Sequence, residues 1–187
     1  MFERRLADAA PIIVIDLQTA MFDGAVEPPI HDSAGMLARV RAVMEWARRT
    51  RRPIAFVRHD GPAGDSLAPN SPGWPVWPAL GQAEDEPTFA KNIGDAFSNA
   101  ALGEWVAEQG ADEVVLLGAQ SDHCVAATVA GAIKAGFRVT VVSDAHSTWD
   151  FGGETAEAII ARHNAAFADA GVNLVTTQSL TGRKAVT

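Results

Sequence analysis

Residues 114–129, VVLLGAQSDHCVAATV, constrain this chain more than any other stretch. An apolar, β-branched run of the length of a buried parallel strand breaks at Gln120-Ser121-Asp122-His123. It resumes as a helix of small residues that begins near Cys124. Ser121 and Asp122 are the N-cap candidates for that helix. Cys124, the sole cysteine, therefore falls in the first turn of a helix, just past the carboxyl end of a strand. Open α/β sheets bind ligands at those ends. A helix N-terminus also favours an anion and lowers the pKa of a thiol. On its own Cys124 is either a small buried hydrophobe or a nucleophile.

The flanking segments repeat the strand-then-helix order. APIIVIDL, ending near Asp16, reads as the first central strand. Asp16 either closes that strand by bonding the following turn or is a carboxylate held at the sheet edge as a base. A loop with Phe22 and a Pro-Pro pair follows. Asp32 or Ser33 then caps a helix to about Thr50, in which Met36, Leu37, Val40, Val43, Met44 and Ala47 form the apolar stripe. PIAFVRH, Pro53 to His59, is the second strand.

Residues 61–88 form a long Pro- and Gly-rich connection carrying Trp74, Trp77 and Leu80. Loops of this length in a compact domain are usually functional or disordered. Exposing the tryptophans would be costly, so an ordered flap is expected. It would either cover a pocket or a neighbouring subunit, or glue the loop to its own core. Phe89 to Asn92 reads as a short strand containing Lys91, before a helix from about Ser98 to Gln109. Beyond the central unit come a strand over Phe137–Ser143, closed by Asp144 to Thr148 as turn residues, and a helix over Glu154–Ala170. A final strand, Val172 to Thr176, and a short polar tail end the chain. The alternation predicts one α/β domain over 1–187. Its form would be a three-layer α/β/α sandwich on a mostly parallel sheet of about five or six strands, Rossmann-like in topology.

Composition narrows the function. Fifteen basic residues against 23 acidic ones give a net charge of −8, which argues against a nucleic-acid or anionic-membrane surface. One cysteine excludes an internal disulfide framework and a multi-Cys metal site, and fits a reducing, cytoplasmic setting. The sequence shows neither a secretory signal nor a membrane-spanning run.

Asp16, Lys91 and Cys124 lie at the ends of different predicted strands, which a parallel sheet brings together. A thiol beside a carboxylate and an ammonium suits covalent catalysis: the carboxylate takes the thiol proton and the ammonium favours anions. Backbone N–H groups of the turn before Cys124 would form an oxyanion hole. Phe22, His59, Trp74, Trp77 and His123 are the candidates for an apolar pocket wall. Adjacent residues near a helix start point in different directions, so His123 is expected to line the pocket rather than act as general base. His146 is expected to cap a strand end and His163 to be structural within its helix.

Several motifs occur in order along nearly the whole chain. They are IIVIDLQTAMF, RHDG after the second strand, NSPGW in the flap, Lys91 followed by DAF, and the late RHNAAF. The most specific is GxxxxxCVxxTxxxAxxxGxxVxVxxDA, spanning Gly118 to Ala145. With them the chain resembles the isochorismatase-like cysteine hydrolases. That resemblance implies an Asp16–Lys91–Cys124 triad, a cis peptide at Ala119–Gln120 in the oxyanion turn, and subunits that assemble as dimers or tetramers. Nicotinamidases of this superfamily carry a metal-binding Asp-x-His near the second strand. Arg58-His59-Asp60-Gly61 stands there instead, so neither metal nor cofactor is expected. Isochorismatases of siderophore pathways lack the cysteine, so Cys124 points to amide hydrolysis of a small molecule. Vinyl-ether hydrolysis is the alternative, or a non-catalytic metabolite-binding member. A redox-sensing thiol would lack a resolving cysteine.

Overall fold

The computed structural model describes residues 10–182. The ends of the predicted domain and the last residues of the polar tail lie outside them. The strands are β1 (Ile12–Ile15), β2 (Ile54–His59), β3 (Thr88–Lys91), β4 (Glu113–Ala119), β5 (Arg138–Ser147) and β6 (Asn173–Val175). The helices are α1 (Ser33–Arg49), α2 (Ala100–Glu108), α3 (Ala126–Lys134), α4 (Ala156–Asp169) and α5 (Thr177–Thr181). All pairings are parallel, in the order β3-β2-β1-β4-β5-β6. The order reverses between β1 and β4, and at such a switch point the carboxyl ends of the strands leave a crevice for a ligand.

The period-two alternation of β1 builds both layers. Ile12 and Val14 face a core completed by Met36, Val40, Val43 and Met44 of α1. Ile13 and Ile15 face the opposite core, with Leu102 and Val106 of α2, Val129 of α3 and Phe167 of α4. β4 is buried along its whole length, as expected of a central strand covered on both faces. Burying each large apolar side chain contributes about 1.5–3 kcal/mol, so these two faces hold the strand ends in place.

Three local expectations give way to tertiary contacts. Asp144 to Ser147 do not turn but continue β5; its pairing with β4 slips, with Leu116 opposite Val141 and Gly118 opposite His146. The Asp144 carboxylate instead accepts from Thr177 N and Oγ1, each at 2.8 Å. That contact helps start α5 where a polar tail is predicted, with Thr176 and Ser179 forming a reciprocal capping box. Asp32 occupies the N-cap position of α1 but makes no side-chain cap, because its carboxylate takes Arg39 at 2.7 Å.

The flap is ordered. Val76 bridges Gln18, Leu80 is buried in the α1-side core, and Trp77 rests on that core. Trp77 also stacks on Phe22, with ring centroids 5.4 Å apart. Among the described residues, no helix is long and apolar enough to cross a membrane.

Candidate active site

Asp16 follows β1 with φ 49°, a left-handed conformation that Asp tolerates better than most residues. Its N–H still bonds Val57 O at 3.0 Å and its carbonyl takes Gln18 N at 2.9 Å, so the chain breaks sharply out of the strand. Lys91 ends β3 and His59 ends β2, paired in register. Cys124 sits in one π-helical turn, Ser121–Val125, ahead of α3. Four strand ends thus deliver four side chains to one crevice. Lys91 Nζ lies 2.6 Å from Asp16 Oδ2, 3.2 Å from Cys124 Sγ and 3.1 Å from His59 Nδ1.

The Asp16 and Lys91 side chains are almost wholly buried, at 1% and 0% exposure. Asp16 Oδ1 is buried without a hydrogen-bond partner among the described residues. An Asp16 oxygen, a His59 ring nitrogen and the Cys124 sulfur lie within 4.8 Å of one another, a spacing that suits a metal ion. Lys91 Nζ already reaches all three residues. The donor set therefore serves an ammonium rather than a metal.

Burial pushes the Asp16 carboxyl above its ordinary range, against the pull of Lys91 and the Cys124 contact. The same effect corrects the expectation for the thiol. Burial, reinforced by the Asp16 charge, pushes Cys124 up to about 12 rather than down, and Lys91 only partly opposes this. The dipole of a helix start is worth about 0.3–1 kcal/mol, too little to outweigh desolvation of a thiolate. Thiolate ultraviolet absorbance is therefore expected to titrate near 12, well above the usual 9.0. Between those values the folded thiol holds a proton that the unfolded one has lost. Stability should fall as pH rises through that window, and Cys124→Ser should flatten the fall.

The turn carrying Cys124 is held from β5. Ser121 and Asp122 do not cap: Ser121 Oγ lies 2.8 Å from His146 Nδ1, and Asp122 Oδ1 accepts from Thr148 Oγ1 at 2.6 Å. Asn164 Nδ2 donates to Ser143 O at 3.0 Å, which turns Asn164 Oδ1 toward His146 Nε2, also at 3.0 Å. His146 therefore carries its proton on Nε2 and accepts the Ser121 hydroxyl at Nδ1. Burial lowers its pKa. His146→Phe is expected to cost about 1–3 kcal/mol in urea unfolding, since Ser121 and Asn164 lose a buried partner. Acid should weaken the wild type: the depressed folded pKa supplies stability above about pH 6.5 that is lost as pH falls. The variant should show a shallower loss.

The peptide Ala119–Gln120 is cis, as the resemblance implies. Gln120 O accepts from His123 N at 3.2 Å and Val125 N at 3.0 Å, which closes the wide turn around Cys124. The His123 side chain is 62% exposed, 3.6 Å from Asp122 and outside the Lys91 cluster. Trp74 donates from its indole to Asp60 Oδ1 at 2.7 Å, with the Arg58 guanidinium 3.6 Å from its ring centre. Phe22 and Trp77 stack on each other at the core edge. A cavity of about 460 Å³ borders Lys91, lined by Asp60, Ala90, Asn92, Ser98 and Asn99.

Gln18 was not singled out by sequence. Wholly buried, it donates to His59 O at 3.0 Å and Trp74 O at 2.8 Å and accepts from His59 N at 2.8 Å. It ties β2 and the flap to the Asp16 turn. The available signal is an amide residue two places after the strand-ending Asp16, where a buried amide side chain must find backbone partners.

Residues 10–179 match the Isochorismatase domain family, and the chain belongs to that family. It is 33% identical to a streptothricin hydrolase of Streptomyces noursei over 139 residues, 74% of this chain and 50% of that protein. The chain spans about half the length of the two streptothricin hydrolases it matches. Among solved structures, an isochorismatase from Pseudomonas putida superposes with a TM-score of 0.84 at 30% identity, covering 92% of this chain and 90% of that one. A cysteine hydrolase from Pseudomonas syringae shares the fold with a TM-score of 0.83 at 19% identity, covering 94% and 92%.

Proposed function

We propose that this protein is a small-molecule hydrolase that cleaves an amide C–N bond through Cys124. The observation that carries the reading is the single ammonium of Lys91, 2.6 Å from the Asp16 carboxylate and 3.2 Å from the Cys124 sulfur in a buried crevice. Asp16 Oδ1, which has no other partner among the described residues, takes the thiol proton as Sγ adds to the carbonyl carbon. A thiol that keeps its proton at rest needs such a base at the moment of attack. Backbone N–H groups of the turn from Ala119 to Cys124 steady the tetrahedral oxyanion. Protonated Asp16 then returns its proton to the leaving amine, which departs as the C–N bond breaks and leaves a thioester. Water, deprotonated by Asp16, hydrolyses the thioester and frees the thiol. Lys91 holds the carboxylate in place and steadies negative charge throughout.

The streptothricin hydrolase relative supports hydrolysis as the reaction class. The net charge of −8 favours a small molecule over nucleic acid as the partner. The same reading takes the protein as a single-domain cytoplasmic enzyme and a homo-oligomer, dimer or tetramer. Subunit contacts would cover apolar side chains such as Val26 and Phe151, 70% and 72% exposed; sedimentation velocity reads the subunit number.

A panel of primary amides and lactams, with Cys124→Ala as control, tests the reaction. Expected are turnover of at least one amide, its loss in the variant, and an acyl adduct on Cys124 in quenched wild type by mass spectrometry. Full amidase activity in Cys124→Ala would remove the mechanism. Cleavage of isochorismate with all amides untouched would favour vinyl-ether chemistry instead.

A further inference from the structure

We infer that His59 is a substrate-contacting hydrogen-bond donor, and that the acyl part of the substrate carries a hydrogen-bond acceptor beside the scissile carbonyl. This rests on the reading of Cys124 as nucleophile. An ammonium only donates, so the 3.1 Å contact between Lys91 Nζ and His59 Nδ1 makes Nδ1 an acceptor. The imidazole proton therefore sits on Nε2. No described residue accepts it, and Nε2 is not among the buried atoms lacking a partner, so that N–H is open to an incoming molecule.

The backbone of His59 is fixed on both sides by Gln18, His59 N donating at 2.8 Å and His59 O accepting at 3.0 Å. A His59 ring nitrogen lies within 4.8 Å of the Cys124 sulfur, so a group bonded to that sulfur comes within reach of the ring. Burial and the Lys91 charge hold the imidazole in its neutral form, against the opposing pull of Asp16, Asp60 and Asp65. A neutral Nε2–H offers a hydrogen bond without transferring a proton. An acceptor there gains a partner, whereas an alkyl or ammonium group strands the donor.

Labelling of Cys124 in the intact protein tests this without a known substrate. Iodoacetamide carries a carbonyl oxygen and an amide nitrogen; methallyl iodide has the same shape with a methylene and a methyl in their places. Each rate is divided by the reagent's rate with N-acetylcysteine, and the ratio between reagents gives the preference for an acceptor. Wild type should prefer iodoacetamide roughly tenfold, the effect of one well-made hydrogen bond. His59→Gln returns an N–H near the Nε2 position and should keep most of that preference. His59→Asn returns an acceptor for Lys91 but no far donor, and should lose it. Circular dichroism establishes that both variants are folded.

Preference retained in His59→Asn and lost in His59→Gln would overturn the inference and leave His59 as a positioning residue for Lys91. An unchanged ratio in both folded variants would overturn it as well. Asp16→Asn separates the underlying reading, because it alters the thiol itself and should change both rates by the same factor, leaving the ratio intact. If Asp16→Asn changes neither rate, the nucleophile reading fails, while the His59 ratio still reports its own result.

Discussion

Lys91→Met is expected to abolish hydrolysis and to destabilise the fold by about 3–5 kcal/mol, the usual penalty for stranding one member of a buried ion pair. The Asp16 and Lys91 side chains are both essentially out of water, so no solvent replaces the missing ammonium. Burial already holds the Asp16 carboxyl above its ordinary range with Lys91 present. Without that cation Asp16 takes up a proton and no longer serves as base, so activity should fall at least about a thousandfold. Adding Asp16→Asn to Lys91→Met removes the cost of protonating that buried carboxyl. The double variant should therefore recover part of the lost stability, with a coupling of about 1–3 kcal/mol in a urea double-mutant cycle, and none of the activity. Additive single effects would mean that the two charges do not sense each other, against the 2.6 Å contact.

The members of this cluster were legible in the sequence for a topological reason. Asp16, Lys91 and Cys124 each close or follow an apolar run, and parallel strands gather such positions whatever lies between them. What escaped the sequence depends on partners far along the chain. Ser121 and Asp122 have the chemistry of N-caps, yet their acceptor and donor, His146 and Thr148, arrive from the far end of β5. Asp144 looks like a turn residue until Thr177 reaches it. The sign of the Cys124 shift needed the depth of burial, which no local pattern encodes. Gln18 needed the positions of His59 and Trp74, 41 and 56 residues away. Local chemistry marked which groups could react, and long-range packing decided how each is held.

Gly118→Ala is expected to cost more than about 3 kcal/mol and to remove activity with it, although it adds one methyl group. Gly118 has φ +131°, and a Cβ there would stand 2.1 Å from Ile15 O and 2.7 Å from Ile15 N. Both are backbone atoms of β1, which lies between β2 and β4 and cannot withdraw as a flexible side chain could. Ile15 pairs with Gly118 in register. Ile15 leads directly into Asp16, and Gly118 leads through Ala119–Gln120 into the turn of Cys124. A shift that relieves the clash displaces the Asp16 turn relative to the Cys124 turn. Gly110→Ala supplies the comparison: its φ of +68° carries the left-handed penalty, but nothing lies within 4 Å of the added methyl. That variant should lose only about 1 kcal/mol and keep its activity. Denaturant unfolding of the two proteins separates conformational strain from collision. Equal losses would mean that the close approach of β4 to β1 is not what requires glycine beside the site.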